Sequence, residues 1–233
     1  MAIAAWRKGV AEFIGAYTLI FIGAGAILTA GSTSTSDLLL IALAHGLAIG
    51  VMVSALAHVS GGHFNPAVTF GALVSRQISP RLAVVYWVAQ LLGGVGGALT
   101  LAAVFPVDIW QPYHLGTPTL GAAASLGWDV GTGTGILVEA VLTFFLVFVV
   151  FGTGIDPKGS FHAVGGMAIG LTIAIDIMMG GPLTGAAMNP ARWFGPAVVS
   201  GFFVNWYVYW IGPLLGGAVA GLLYAYVFLE KPR

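Results

Sequence analysis

The chain contains no cysteine and few charged residues, and both absences restrict what it can be. Without cysteine, its 233 residues hold no disulfide, no thiolate metal site and no cysteine nucleophile. Charged residues make up 7% of the chain and hydrophobic residues 58%, whereas a soluble domain is about 25% charged. The net charge is zero, so nothing indicates a nucleic-acid partner. Because so few charges cannot cover so much apolar surface in water, the composition predicts a protein of the lipid bilayer.

Long apolar stretches and glycine are what the chain has in abundance. Its mean hydropathy is +0.98, and its 35 glycines suit a bilayer, where small residues let helices approach closely. A helix needs roughly 20 apolar residues to cross about 30 Å of hydrocarbon. Six stretches reach or approach that length, at 9–30, 38–58, 82–104, 135–154, 163–180 and 205–229. The first is too long for a signal peptide, so we expect it to be retained as a helix.

The tripeptide Asn-Pro-Ala occurs twice, at Asn65-Pro66-Ala67 and at Asn189-Pro190-Ala191. Asparagine is a preferred helix N-cap, and proline is tolerated at the first helical position, so each copy predicts the start of a helix. About 10 apolar residues follow each copy, which at 1.5 Å per residue is roughly half of the hydrocarbon thickness. Two half-helices that meet end to end would make a seventh crossing, which is allowed only where irregular backbone lines a cavity.

The two halves of the chain repeat each other. Tyr86-Trp87 in the first half corresponds to Tyr209-Trp210 in the second. Three spans per half is an odd number, so the second half enters the membrane inverted. We therefore predict an all-α membrane protein with six transmembrane helices plus two re-entrant half-helices in an inverted 3+3 repeat. The single transmembrane domain, 1–233, divides into a first repeat (1–105), an extracellular connecting loop (106–133) and a second, inverted repeat (134–233).

The placement of basic residues predicts the orientation. If the chain crosses the membrane six times, seven of its eight lysines and arginines fall on one face: Arg7, Lys8, Arg76, Arg81, Lys158, Lys231 and Arg233. The opposite loops hold the acidic residues Asp37, Asp108 and Asp129. By the positive-inside rule both termini are cytoplasmic. We expect a multi-pass integral protein of the plasma membrane.

With these motifs in place, the chain resembles the aquaporin (major intrinsic protein) family over nearly all of its length. The resemblance is carried by His58-Val59-Ser60-Gly61-Gly62-His63-Phe64-Asn65-Pro66-Ala67-Val68-Thr69 and by Met188-Asn189-Pro190-Ala191-Arg192, each at the expected place in a duplicated six-span chain. It implies a homotetramer in the lipid bilayer, with one pore per subunit and with neither cofactor nor metal. Among subgroups, the filter residues are closest to the plant tonoplast intrinsic proteins.

The resemblance also implies roles for particular residues. Counted from the two motifs, the selectivity filter falls on His45, Ile177, Ala186 and Arg192. Backbone carbonyls of Gly61, Gly62, His63, Gly185, Ala186 and Ala187 would line the pore, and the buried carboxylates Glu12 and Glu139 would accept hydrogen bonds from the re-entrant loops. Asp176 and Trp193 depart from the family pattern. Asp176 either bonds to the extracellular loop or is protonated, and Trp193 leaves the range of solutes open.

Three classes of function compete for such a chain. An intramembrane enzyme needs a nucleophile with a base or a metal cluster, and no such set converges here, so we predict that the chain is not an enzyme. A coupled secondary transporter usually has ionisable groups at the midplane, where this chain has two neutral amides, so it ranks below a channel. We predict a passive water channel that excludes protons and ions and also passes small neutral solutes such as ammonia or hydrogen peroxide. A broader facilitator of glycerol and urea, with water secondary, is the alternative.

Overall fold

The computed structural model describes residues 3–32, 37–121, 127–159 and 164–230. Within these ranges the chain forms helices and turns but no β-strand. Six helices are long and apolar enough to cross a membrane: α1 (Ala5–Ser32), α2 (Leu38–Ser60), α4 (Pro80–Val104), α5 (Thr132–Ile155), α6 (Gly165–Thr184) and α8 (Val208–Val227). Two short helices lie between them, α3 (Pro66–Val74) and α7 (Pro190–Ser200). The predicted all-α, six-span fold is confirmed.

The observed bounds differ from the predicted ones at several helix ends. Helix α1 begins at Ala5, four residues before the predicted start, because backbone hydrogen bonding continues through the polar pair Arg7-Lys8. Helix α8 begins at Val208 rather than at 205, since residues 201–207 form a turn in which Asn205 has a φ of 54°. Apolarity marks where lipid surrounds a helix, whereas hydrogen bonding decides where the helix ends.

Both short helices begin at an Asn-Pro pair, as predicted. Asn65 and Asn189 have extended backbone, each with a φ of −153°, and proline occupies the first helical position in both cases. The helices have 9 and 11 residues, which is about 14 and 17 Å of length at 1.5 Å per residue. Each therefore covers about half of the hydrocarbon thickness.

Each short helix packs against the last span of the other half of the chain: α3 against α8, and α7 against α4. Glycines make the close approach possible. A Cβ atom on Gly71 would lie 2.6 Å from the carbonyl oxygen of Gly217, and one on Gly94 would lie 2.7 Å from that of Ala191. Both distances are shorter than any van der Waals contact. The abundance of glycine thus reflects helix packing, as expected in a bilayer.

One end of the helix bundle is joined by polar contacts. Lys158, in the turn after α5, forms an ion pair with Glu230, which follows α8. The hydroxyl of Tyr224 in α8 donates to Asp156 Oδ2 at 3.1 Å. The turn after α5 and the end of α8 therefore lie on the same face, as the distribution of basic residues predicts. Lys231 and Arg233, which also entered that prediction, lie outside the described residues.

The predicted connecting loop, 106–133, has structure of its own where it is described. A helical turn, Val107–Trp110, leads into a 3₁₀ segment, Gln111–Gly116. Farther along, the amide of Gly121 donates to the carbonyl of Leu183 at 2.8 Å, next to the second Asn-Pro loop. The segment thus lies over the bundle rather than extending away from it. Residues 122–126 of the predicted loop lie outside the description.

Candidate functional site

The two Asn-Pro loops meet through their asparagine side chains. Asn65 Nδ2 donates to the carbonyl of Met188 at 2.8 Å, and Asn189 Nδ2 donates to the carbonyl of Phe64 at 3.0 Å. Each side chain therefore bonds to the backbone of the opposite loop. This reciprocal pair of bonds joins the starts of the two short helices.

The asparagine oxygens have a different task. Asn65 Oδ1 accepts from the amide of Ala67 at 2.8 Å, and Asn189 Oδ1 accepts from Ala191 at 2.9 Å and from Arg192 at 3.3 Å. A side-chain amide carries two N–H donors, and each asparagine uses one of them across the loops. The other N–H of each remains for whatever occupies the cavity that both side chains line. The prolines and alanines of the two motifs line neither cavity and instead shape the helix starts.

Two cavities adjoin each other between the helices. The central cavity, of about 20 Å³, is lined by both asparagines and otherwise mostly by apolar side chains. The vestibule, of about 580 Å³, is bordered on one side by the connecting segment 112–119. Three side chains line both cavities: His45, Ile177 and Arg192. These three form the neck between the cavities, and Ala186, the fourth predicted filter residue, lines the central cavity only.

Hydrogen bonds hold the neck side chains in place. Arg192, 3% exposed, donates through Nε to His45 Nε2 at 3.0 Å and through Nη1 to the carbonyl of Gly116 at 2.8 Å. His45 Nδ1 lies 2.8 Å from the carbonyl of Ile41. Because Nε2 accepts from Arg192, the proton of His45 must sit on Nδ1 and bond to that carbonyl. Among the described residues, Arg192 hydrogen-bonds to no carboxylate.

A turn of π-helix in α1 makes room for the neck. Leu19–Ala24 adopts this wider helical form, which is frequent at functional sites. It contains Gly23, and a Cβ atom there would overlap the imidazole of His45. The ring therefore lies directly against the backbone of α1, so that His45 is confined between α1 and Arg192.

Two buried carboxylates anchor the loops. Glu12 is fully buried; its Oε1 accepts from the Ser60 hydroxyl and the amide of His63, and its Oε2 accepts from the amide of Phe64 and from Gln90, all at 2.6–3.0 Å. Glu139 is equally buried and accepts from the Thr184 hydroxyl at 2.7 Å and from the amides of Ala187 and Met188 at 2.9 and 2.7 Å. Both carboxylates thus accept bonds from the loop backbone.

These bonds also orient the loop carbonyls. In a trans peptide the C=O points opposite to the N–H, and no peptide bond among the described residues is cis. The amides bonded to Glu12 and Glu139 therefore turn the preceding carbonyls, those of Gly62, His63, Ala186 and Ala187, away from the carboxylates. These four residues line the central cavity. Gly185 lines the vestibule, and Gly61, also predicted, lines neither cavity.

Sequence reasoning missed a buried polar group beneath the first loop. Gln90 Nε2 donates to Thr69 Oγ1 at 3.0 Å as well as to Glu12, and His63 Nδ1 lies 3.0 Å from the same hydroxyl. The Tyr86 hydroxyl donates to the carbonyl of Ser60 at 2.5 Å. Tyr209 makes the corresponding bond to Thr184, at 2.9 Å, in the second half. The repetition of Tyr86 as Tyr209 was the sequence signal that could have revealed these bonds.

The two residues that depart from the family pattern line neither cavity. Trp193, 1% exposed, stacks on Tyr209 with ring centroids 5.8 Å apart and an interplanar angle of 10°. Trp193 is the second residue after the second Asn-Pro-Ala, and Thr69 is the second residue after the first, so the two positions are equivalent. The indole of Trp193 therefore fills, beneath the second loop, the region that corresponds to the polar group beneath the first. Asp176 is 4% exposed, and its Oδ2 has no hydrogen-bond partner among the described residues.

Comparisons with known proteins agree with this geometry. Residues 1–224 match the family profile described as Major intrinsic protein. Probable aquaporin TIP3-2 of Arabidopsis thaliana is 44% identical over 97% of this chain and 85% of its own length. Aquaporin TIP2-1 of the same plant is 43% identical over 98% and 90%, and aquaporin TIP4-4 of Zea mays is 41% identical over 97% and 88%.

Among solved structures, the aquaglyceroporin from Plasmodium falciparum superimposes with a TM-score of 0.82, covering 96% of this chain and 97% of its own. At 24% sequence identity, this likeness shows the fold alone. The all-helical membrane architecture predicted from the sequence is thus shared with a solved channel structure.

The relatives correct one prediction. We expected the plasma membrane, but the relatives are tonoplast intrinsic proteins, a class that lies in the vacuolar membrane. The prediction was wrong because basic residues report which face is cytoplasmic and carry no information about which membrane holds the protein. The multi-pass membrane nature stands, with six apolar spans.

The resemblance seen in the sequence is confirmed by a profile match over nearly the whole chain and by identities above 40% to plant aquaporins. Aquaporins are channels, so the prediction that the chain is not an enzyme is also confirmed. The chain belongs to the major intrinsic protein family, the family of water channels that includes these aquaporins.

Proposed function

We propose that this protein is a passive water channel that excludes protons and ions and also passes small neutral solutes such as ammonia or hydrogen peroxide. The observation that carries the proposal is the sequence of two cavities that meet at a neck of His45, Ile177 and Arg192. The two asparagine side chains line the central cavity that this neck borders, and each has one N–H that is not used between the loops. By family resemblance we also propose a homotetramer in the lipid bilayer, with one such path in each subunit.

Water would be oriented at the asparagine pair. Its oxygen accepts from the free N–H groups of Asn65 and Asn189, so its hydrogens point away from the pair along the path. The carbonyls of Gly62, His63, Ala186 and Ala187, which face away from the buried carboxylates, accept from the waters on either side. The remaining wall is mostly apolar, so water leaves each site at little cost.

Protons and ions would be excluded by positive charge. The N-terminus of each short helix carries the equivalent of about half a positive charge, and the two helix starts are bonded to each other through Asn65 and Asn189. Arg192 adds a full charge at the neck. Positive helix ends and an arginine at a constriction repel cations and protons in such pores. The buried carboxylates Glu12 and Glu139 are occupied by hydrogen bonds, which disfavours a coupled proton transporter.

The proposal is tested by stopped-flow light scattering on proteoliposomes. Purified protein should raise osmotic water permeability with a low activation energy and without proton conduction, and a panel of ammonia, hydrogen peroxide, urea and glycerol should rank the solutes. Empty liposomes of the same lipid are the control. Should folded, reconstituted protein shrink no faster than lipid alone, the water-channel proposal would be wrong. If glycerol and urea far outrank water, the broader facilitator is correct.

Selectivity at the neck is expected to depend on Ile177. Its apolar side chain lines the neck together with the polar pair His45 and Arg192, which lowers the cost of passing solutes that hydrogen-bond less strongly than water. Ile177→His should narrow the neck and reduce ammonia, hydrogen peroxide or urea flux more than water flux, by about tenfold relative to water if one discriminating polar contact is gained. The measurement is the same solute panel.

Ile177→Leu is the matched control for this substitution, because it keeps the apolar character and the approximate volume. It should leave the solute-to-water ratios close to those of the wild type. Equal ratios in Ile177→His and Ile177→Leu would mean that this side chain does not set the selectivity.

A further inference from the structure

The connecting segment beside the vestibule holds an unusual backbone conformation. His114 and Leu115 have φ values of 48° and 55°, and Gly116 follows with 73°. Left-handed backbone is uncommon for residues other than glycine, and it is more uncommon still for a residue such as leucine than for histidine. Three consecutive left-handed residues therefore persist only if surrounding contacts hold them.

Part of that support comes from the segment's own packing. Leu115 is fully buried in the apolar core. The amide and the hydroxyl of Thr117 both donate to the carbonyl of His114, at 3.1 and 2.5 Å. A Cβ atom on Gly116 would lie 3.0 Å from that of Ala24 in α1, so the segment lies directly against α1 at this point.

The other support is an aromatic stack. The imidazole of His114 lies parallel to the ring of Phe202, with centroids 3.9 Å apart and an interplanar angle of 12°. Phe202 follows Gly201, the C-cap of helix α7, and its amide donates to the carbonyl of Ala197 at 3.1 Å. The stack thus ties the connecting segment to the helix that starts at Asn189.

The same helix carries Arg192, and the left-handed turn aims the Gly116 carbonyl at Arg192 Nη1, 2.8 Å away. The guanidinium therefore has two anchors on two different elements, His45 in α2 and Gly116 in the connecting segment. Because the second anchor depends on a strained turn, it depends on the contacts that hold the turn. Of these contacts, the His114–Phe202 stack connects the turn to the residues that directly follow helix α7.

We propose that the stack of His114 on Phe202 is a positioning contact that fixes Arg192 at the wall of the neck and thereby sets the water permeability. This inference rests on the proposed channel function. A buried guanidinium that loses an anchor must find another hydrogen-bonding partner, and the wet neck offers one. Without the stack, Arg192 moves into the path and obstructs it.

The test is a double-mutant cycle between Phe202 and Arg192, measured as water permeability per reconstituted protein. Phe202→Leu should lower permeability about two- to tenfold, the factor by which loss of an aromatic pair shifts an equilibrium. Phe202→Tyr keeps the ring and should restore the wild-type value. In an Arg192→Ala background, Phe202→Leu should have no further effect, because there is no guanidinium to release.

Two more variants separate the stack from general damage. His114→Asn removes the ring but keeps a residue that tolerates left-handed backbone, so it should match Phe202→Leu and add nothing to it. Phe203→Leu is the matched control: Phe203 is the next residue, is 50% exposed, and its ring pairs with Trp193, so permeability should not change.

A second readout does not need transport. The thermal unfolding temperatures of the same four proteins of the cycle should be non-additive if the stack and Arg192 are coupled. Additive unfolding temperatures, together with an equal permeability loss in the Arg192→Ala background, would overturn the inference while leaving the channel intact. A wild type that conducts no water would instead overturn the proposed function, and the unfolding cycle would still decide the coupling.

Discussion

Ala186→Cys protein in liposomes is expected to lose nearly all of its water permeability when a mercurial is added, and to regain it with excess thiol. The chain has no cysteine, so the wild type should not respond. Ala186 lines the central cavity together with the three neck residues. Its φ of 43° shows that a residue with a Cβ atom already adopts left-handed backbone at this position. A cysteine can therefore occupy the position, and a mercury adduct on it would fill the path.

The control is a cysteine outside both cavities. Val204→Cys suits this purpose because Val204 is 56% exposed and lines neither the central cavity nor the vestibule. It should be labelled without loss of permeability. Mass spectrometry gives the extent of labelling in both variants. A fully labelled Ala186→Cys protein that still conducts water would show that Ala186 does not border the path.

Glu139→Leu is expected to prevent the protein from reaching a stable fold. The substitution leaves the buried amides of Ala187 and Met188 without an acceptor, and the Thr184 hydroxyl keeps a long bond, of 3.5 Å, to the carbonyl of Gly180. Each buried donor left unpaired costs roughly 1–3 kcal/mol, so we expect the free energy of unfolding to fall by at least about 2 kcal/mol. The measurements are the yield of monodisperse protein in detergent and its thermal unfolding temperature.

Two further variants serve as comparisons for Glu139→Leu. Glu139→Gln keeps one acceptor oxygen and turns an N–H donor toward a loop donor, so its unfolding temperature should fall between those of Glu139→Leu and the wild type. Glu230→Gln is the matched control, because Glu230 is an exposed carboxylate that forms an ion pair with Lys158, and exposed ion pairs contribute little. Wild-type stability in Glu139→Leu would mean that the buried carboxylate is not what holds the second loop.

The two halves of the molecule show which contacts can be predicted from the internal repeat and which cannot. Glu12 and Glu139, Ser60 and Thr184, and Tyr86 and Tyr209 make equivalent bonds in the two loops. Beneath the first loop lies a polar group, whereas beneath the second loop the indole of Trp193 takes its place and stacks on Tyr209. Repetition in a sequence predicts equivalent positions, but it cannot predict that one bulky side chain replaces several polar ones, because this substitution depends on the volume of the whole site.

What the sequence determined by itself is set by local chemistry. Hydropathy located the six spans because the length and apolarity of a segment by themselves decide whether it can cross the hydrocarbon. The two Asn-Pro pairs located the short helices because capping involves only neighbouring residues. The family resemblance carried by these motifs then implied that Asn65, Asn189 and Arg192 line the path.

Only the tertiary structure decided how the neck is built. Arg192 bonds to His45, 147 residues away, and to Gly116, 76 residues away, and the turn that presents Gly116 is held by a ring stack on Phe202. Each of these contacts depends on the directions of side chains and carbonyls carried by separate elements. No local pattern encodes those directions, since they exist only after the helices have packed against one another.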